Sequence, residues 1–271
     1  MIQPLLSLRN FIDFPLRQGI RWRRPLHSIK NESKEDLFAD LPLTEREAVE
    51  KREIELRDHY RLQKLHRSST RQNYRENLYY LELLARCWEE ASLNLPMSPN
   101  VADIGVSHWF YVQAFYNFLT WQGGDNVRSV NLAGFEVDPY RVYSDLRSRY
   151  DHALAHIGDL PGTHYIPQGF QRKPEAYDLI TMFFPFVFQP DHLRWGLPAK
   201  MFAPRQMLSD AWDSLKPGGV LLIVNQGLKE HEAQREMLGA ITSSPPISFK
   251  HESPFFLYDL PRYVLVSVKA S

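Results

Sequence analysis

From Val101 onward, short apolar runs alternate with segments of helix length, and that alternation leaves few folds open to the chain. The runs near 101–104, 128–136, 163–167, 177–183, 218–225 and 262–268 read as strands, with a weaker one near 246–250. Segments at 108–120, 139–157, 199–215 and 227–241 read as the helices between them. Strands that are apolar on both faces need cover on both, and crossover helices supply it. The pattern therefore predicts an α/β domain with a doubly wound, mostly parallel sheet over residues 97–271. Residues 1–96 read as an N-terminal arm and helical extension. In the extension Thr44 and Glu47 have the capping-box spacing, and Tyr74, Leu78, Leu81, Leu84 and Trp88 recur at steps of three and four. The 139–157 segment is expected to start on Asp138 as N-cap with Pro139 first in the helix, and to bury Val142, Leu146, Tyr150 and Leu154.

Composition closes off other classes. With 44% hydrophobic residues in 271 the chain can bury a sizeable core, and 32 basic residues cancel 32 acidic ones, so no overall field favours nucleic acid. The stretch Arg61, Lys64, Arg67, Arg71 and Arg75 lacks interleaved aromatics and reads as a solvated helix end. Cys87 is the one cysteine, which excludes an intrachain disulfide or a thiolate metal cluster. No run of about 18 apolar residues exists, so no membrane span is expected and a cytoplasmic location is. Residues 1–30 carry six Lys/Arg against Asp13 alone, mixed with Leu5, Leu6, Leu8, Phe11, Phe14 and Leu16. That composition suits a targeting or membrane-surface segment. Because Pro4 and Pro15 interrupt a helix, the favoured reading is an arm packed along its own domain.

Ligands of open parallel sheets bind outside the carboxyl ends of the strands. Four strand neighbourhoods carry suggestive residues here: VADIGVSHW at 101–109, AGFEVDPYR at 133–141, AYDLITMFFPF at 176–186 and SLKPGGVLLIVNQG at 214–227. In this order they resemble the class I S-adenosylmethionine-dependent methyltransferases, over roughly residues 97–271. The resemblance implies a Rossmann-like sheet closed by an antiparallel hairpin beside the fifth strand, and S-adenosylmethionine as cofactor. It places Asp103, Gly105 and Ser107 in the loop around the methionine part, Glu136 on the ribose hydroxyls and Gln168 near the adenine. Two glycines of the family's loop are replaced by Ser107 and Trp109. Trp109 is expected either to fold over the ligand as a lid or to fill its space.

Where amino-group methyltransferases of this kind carry a polar Asn/Asp-Pro-Pro-Tyr motif, this chain has Phe183-Phe184-Pro185-Phe186. The expected acceptor is therefore a small, partly apolar molecule, held by Phe183, Phe184, Pro185, Phe186, Phe188 and Trp195. His192 and Asp191 are the candidate catalytic pair should a proton have to leave the acceptor, with His231 and His108 as further candidates. Two other readings stand beside this one. A methyltransferase fold without two loop glycines could serve as a binding or scaffold subunit. Gly105-Val106-Ser107 could instead open a nucleophile elbow, with Ser107 as a hydrolase nucleophile. His152 and His156 are four apart, a metal-ligand spacing with no completing motif, so no metal is expected.

Overall fold

The computed structural model describes residues 2–24, 28–124 and 126–270. The N-terminal part forms α1 (Ile2–Ile20), α2 (Leu43–His59), α3 (Gln63–Ser68) and α4 (Arg71–Ala91). The sheet domain follows as β1 (Asn100–Ile104), α5 (Val112–Trp121), β2 (Asn131–Phe135), α6 (Arg149–Ile157), β3 (Thr163–Ile166), β4 (Tyr177–Phe183) and α7 (Gln189–Arg194). After a 3₁₀ turn at Ala199–Met201 come α8 (Pro204–Ser214), β5 (Leu215–Gln226), α9 (Gly227–Gly239), β6 (Ile247–His251) and β7 (Arg262–Val268). The seven strands lie in the order β3-β2-β1-β4-β5-β7-β6. β1 to β5 are parallel, and β7 runs antiparallel between β5 and β6.

Alternation along each strand sorts the core into two layers. Val101, Leu179, Val220 and Leu222 face a layer that contains Leu78, Leu81 and Leu84 of α4 with Phe115 and Phe118 of α5. Ala102, Ile180, Leu221 and Ile223 face the other, with Leu208 and Ala211 of α8 and Leu238 of α9. α4 begins where its pattern indicates: Thr70 accepts from the backbone N–H of Asn73 as N-cap.

Four expectations need correction. α6 starts ten residues later than Pro139, at Arg149, because Ser148 and Asp151 form a reciprocal capping box there. Asp138 is not a cap, since its carboxylate is taken by Arg17. Residues 142–148 turn back on themselves instead, with the Tyr143 N–H donating to the Arg147 carbonyl, so Val142 and Leu146 face solvent. α2 begins at Leu43 after Pro42 with no side-chain cap, so Thr44 does not start it. α7 went unread in the sequence because it is a helix of six residues. Finally, α1 runs through Pro15, which removes one donor from the ladder. Tertiary bonds from Asn10, Arg17 and Gln18 hold that helix to the sheet domain.

Candidate active site at the carboxyl edge

The loop after β1 has a regular conformational signature. Gly105, Ser107 and Trp109 have φ of +80°, +53° and +50°. These are the three alternating positions where the resemblance expects glycine. A left-handed backbone is free for Gly105 but costs roughly 1–2 kcal/mol at each side-chain-bearing residue. The loop thus has a glycine-type conformation at two positions that carry side chains. Two neighbours accommodate Trp109. The Trp109 indole is turned away from the edge into the core, where its N–H donates to Asp103 Oδ2 at 2.8 Å. Its ring lies flat against β2 at Gly134, where a Cβ would come within 2.6 Å of it. The expectation that Trp109 is a lid or a plug is therefore corrected: it is a core residue, accommodated by a glycine in the facing strand. Beside Gly105, by contrast, an added Cβ would meet nothing within 4 Å, so the loop's outer side is open.

The two strand-end acids are placed differently. Asp103 faces the helix layer and is fully buried. Its Oδ2 accepts from the Trp109 indole and, at 2.8 Å, from the Tyr111 hydroxyl; its Oδ1 accepts from Thr181 at 2.7 Å. Burial outweighs those donors and pushes its carboxyl up to about 6. The structure does not bring Asp103 to the edge. Glu136 stands at the edge, just past β2. Its Oε2 accepts the Ser107 N–H at 2.7 Å, while Oε1 accepts the Asp138 N–H at 2.7 Å and the Arg149 guanidinium at 3.4 Å. Gly105 and Val106 both donate to the Phe135 carbonyl, at 2.8 and 3.3 Å, so the loop is pinned to the end of β2. Gln168, exposed after β3, adjoins this edge through Gly169, which lies against Val137.

Across the edge, the segment after β4 is only partly a wall. Phe183 belongs to the core, stacked on Tyr80 and tilted against Tyr111, so the expectation that it lines a lip is corrected. Phe184 has φ +59° and lies under the Arg262 guanidinium. Phe186 packs on His192 and Trp195, while Phe188 and Trp195 are exposed. His192 is buried and its Nε2 lies 2.9 Å from the Pro198 carbonyl, so the proton sits on Nε2 and the lone pair on Nδ1. Burial lowers its pKa and keeps the ring neutral. Asp191 is a surface residue paired with Arg194 at 2.9 Å. His231 is bonded to Ser248 on β6.

The strand order reverses between β1 and β4, which puts the switch point where the loop and the Phe184–Trp195 segment meet. The hairpin of β6 and β7 lies beside β5, as the resemblance implies. The fold is a Rossmann-like, doubly wound and mostly parallel sheet of seven strands with helices on both faces. No protein-family profile matches it, and no curated protein matches it. Among solved structures, a Listeria monocytogenes protein assigned to the class I S-adenosylmethionine-dependent methyltransferases is 14% identical with a TM-score of 0.48. That alignment covers 73% of this chain and 60% of the other, so this chain spans less than two thirds of its length. An S-adenosylmethionine-dependent methyltransferase of Aquifex aeolicus is 14% identical over 72% of this chain and 92% of that one, with a TM-score of 0.44. A methyltransferase of Pyrococcus furiosus is 16% identical over 69% and 83%, with a TM-score of 0.45. Likeness at this level describes the course of the chain alone; strand order and loop geometry define the site.

Between the start of α4, the loop after β1 and α6 lies a cavity of about 520 Å³, lined among others by Lys30, Glu76, His108, Tyr143, Asp145 and His152. His108 Nδ1 is 3.1 Å from the Tyr143 hydroxyl and 3.4 Å from Ser107 Oγ. Burial, then the neighbouring His152 and Arg149, push His108 down to about 4. The ring is a weak base and its Nδ1 is nearer to Tyr143 than to Ser107, which disfavours a Ser107 nucleophile. Among the described residues no group of three or more His, Cys, Asp or Glu is placed to hold a metal ion. No helix among them is long and apolar enough to cross a membrane.

Arg149, Thr181 and Tyr111 were not singled out in the sequence. Thr181 had a signal, a polar residue inside the apolar run of β4. Arg149 had only an indirect one, the Ser148/Asp151 capping pair that sets the start of its helix.

Proposed function

We propose that the chain is an S-adenosylmethionine-dependent methyltransferase acting on a small, partly apolar acceptor. One observation supports this most: the loop is left-handed at 105, 107 and 109 and is joined through the Ser107 N–H to Glu136, at the edge where such sheets bind ligands. The residues fit the cofactor. The open side of Gly105 admits a ligand to the backbone, and Glu136 Oε2, with one of its lone pairs used by Ser107, can accept a ribose hydroxyl. Bound there, S-adenosylmethionine would supply an electrophilic methyl group on a sulfonium.

The chain's own residues have separate tasks in this reading. Gly105 and Ser107 form the cradle, Glu136 orients the ribose and Gln168 borders the adenine. Asp103 acts at one remove as a positioning residue, fixing Trp109 and Tyr111 and through them the loop. Phe184, Pro185, Phe186, Phe188 and Trp195 offer no side-chain carboxylate or amide to orient an amine, but they can bury an aliphatic or aromatic body. Covering about 150 Å² of such a body contributes nearly 4 kcal/mol before ordering costs. In-line placement within about 3–3.5 Å accounts for much of a methyl transfer. Where the acceptor is a hydroxyl, Nδ1 of neutral His192 takes its proton, with Asp191 on the same turn.

The test is transfer of labelled methyl to a panel of phenols, carboxylic acids, amines, tRNA and DNA. Label on a phenol or carboxylic acid is expected; label only on nucleic acid or protein amides would overturn the acceptor class. The second reading, a scaffold that transfers nothing, is favoured by the bonds Glu136 already makes to Ser107, Asp138 and Arg149. It predicts no transfer to any acceptor.

A further inference from the structure

A helix on a protein surface ordinarily turns its apolar stripe inward. α1 turns its longer apolar stripe outward. Beside half-buried Leu6 and Phe14, its inward side is anchored by polar side chains: Asn10 donates to the carbonyls of Leu193 and Leu197 at 2.7 and 3.0 Å, and Arg17 to Asp138 and to the Gly196 carbonyl. Gln18 donates to the Val137 carbonyl. Its outward face is a stripe of Leu5, Leu8, Ile12 and Leu16, at steps of three, four and four, flanked by Phe11 and Ile20. All six are more than half exposed, from 52% at Ile12 to 70% at Leu5. Beyond the helix, exposed Trp22 donates its indole N–H to the carbonyl of exposed Leu146, which prolongs the apolar surface. A continuous apolar surface of this kind marks an interaction site.

The charges around the stripe select its partner. Arg9, Arg21 and Arg24 are exposed, and Lys200 stands 5.9 Å from the Phe11 ring. The helix carries one acid, Asp13, 3.9 Å from Arg9. A second copy seated on this face would set the same cations against one another. An apolar stripe with a cationic border and a tryptophan at its end suits the headgroup–acyl boundary of an anionic bilayer. We propose that α1 is a membrane-surface helix that docks the protein on anionic lipid through Leu5, Leu8, Phe11, Ile12, Leu16 and Ile20. Arg17 and Gln18 bond to Asp138 and Val137, immediately after Glu136, so docking would bring the carboxyl edge of the sheet next to the bilayer.

Co-sedimentation of the full chain with vesicles tests this. Binding is expected to vesicles of phosphatidylcholine mixed with phosphatidylglycerol. It should be about tenfold weaker to phosphatidylcholine alone, and weaker again at high salt. Leu8→Glu with Ile12→Glu should abolish binding and leave the thermal midpoint unchanged, because both side chains point outward. Arg21→Glu with Arg24→Glu should remove the preference for the anionic vesicles. The proposal fails if the wild type binds neither vesicle or if the Leu8→Glu/Ile12→Glu variant binds as well as wild type. It also fails if light scattering finds a dimer that this variant disperses while vesicles capture nothing; the face would then join two copies.

Discussion

Asp103 and Glu136 end neighbouring parallel strands, both nearly closed to solvent, and their surroundings make them opposites. Asp103 is held by three side chains, those of Trp109, Tyr111 and Thr181, inside the helix layer. Glu136 is held mainly by backbone, the N–H groups of Ser107 and Asp138, at the rim. An acid bonded to core side chains stiffens a loop from within. An acid bonded to the loop's own backbone at the edge couples the loop to whatever lies outside. Position at a strand end is thus insufficient to assign a ligand role; the partners decide it.

The harshest way to break the inner half of this comparison is to remove its scaffold. Trp109→Ala should cost about 4 kcal/mol, since it empties a large buried site and leaves Asp103 short of a donor. Gly134→Val should cost about 3 kcal/mol by driving a side chain into the indole. Chemical denaturation of both together should show a loss well below the sum, because the clash disappears with the ring. Additive losses would mean that the two positions do not compensate.

The outer half is tested by ligand affinity. Glu136→Gln should weaken binding of S-adenosylhomocysteine at least about tenfold, the loss of a charge-assisted hydrogen bond, for a stability cost of about 1–2 kcal/mol. Asp103→Asn should change affinity far less. An equal effect of the two on affinity would erase the distinction between them.

Acid titration separates them further. The folded Asp103 holds its proton up to about pH 6, where an unfolded carboxyl has already lost it. Its contribution to stability, about 1–3 kcal/mol, is therefore present at about pH 4 and is lost as pH rises through 6. Asp103→Asn should remove that slope. His108, pushed down to about 4, works the other way: its contribution is present above about pH 6.5 and is lost on acidification towards 4. His108→Gln should flatten that loss. The smallest effect expected is at Ser107, where Ser107→Gly should relieve the left-handed residue and gain about 1 kcal/mol in denaturant midpoints.

The parallel sheet and its helix layers were legible because they rest on periodicity, and periodicity survives substitution; the antiparallel final hairpin was expected from the resemblance. The carboxyl edge was legible in part. The loop's position could be read from Asp103 and Gly105, but not the direction of Trp109, which depends on a glycine 25 residues later. The late start of α6 was written in Ser148 and Asp151 but was masked by the plausible Asp138-Pro139 start. That the N-terminal arm packs along its own domain was expected, but its helical conformation was missed because its prolines weigh against a helix, whereas the contacts that stabilise it lie about 120 to 190 residues away, at Asp138, Leu193 and Leu197.

The central claim is that a loop with one glycine where three are expected still shapes a cofactor site with Glu136. Calorimetric titration of the wild type and of Glu136→Gln with S-adenosylhomocysteine tests it most directly. One saturable site is expected in the wild type, with at least about tenfold weaker binding in the variant. No binding heat at millimolar ligand, or the same affinity in both proteins, would contradict it.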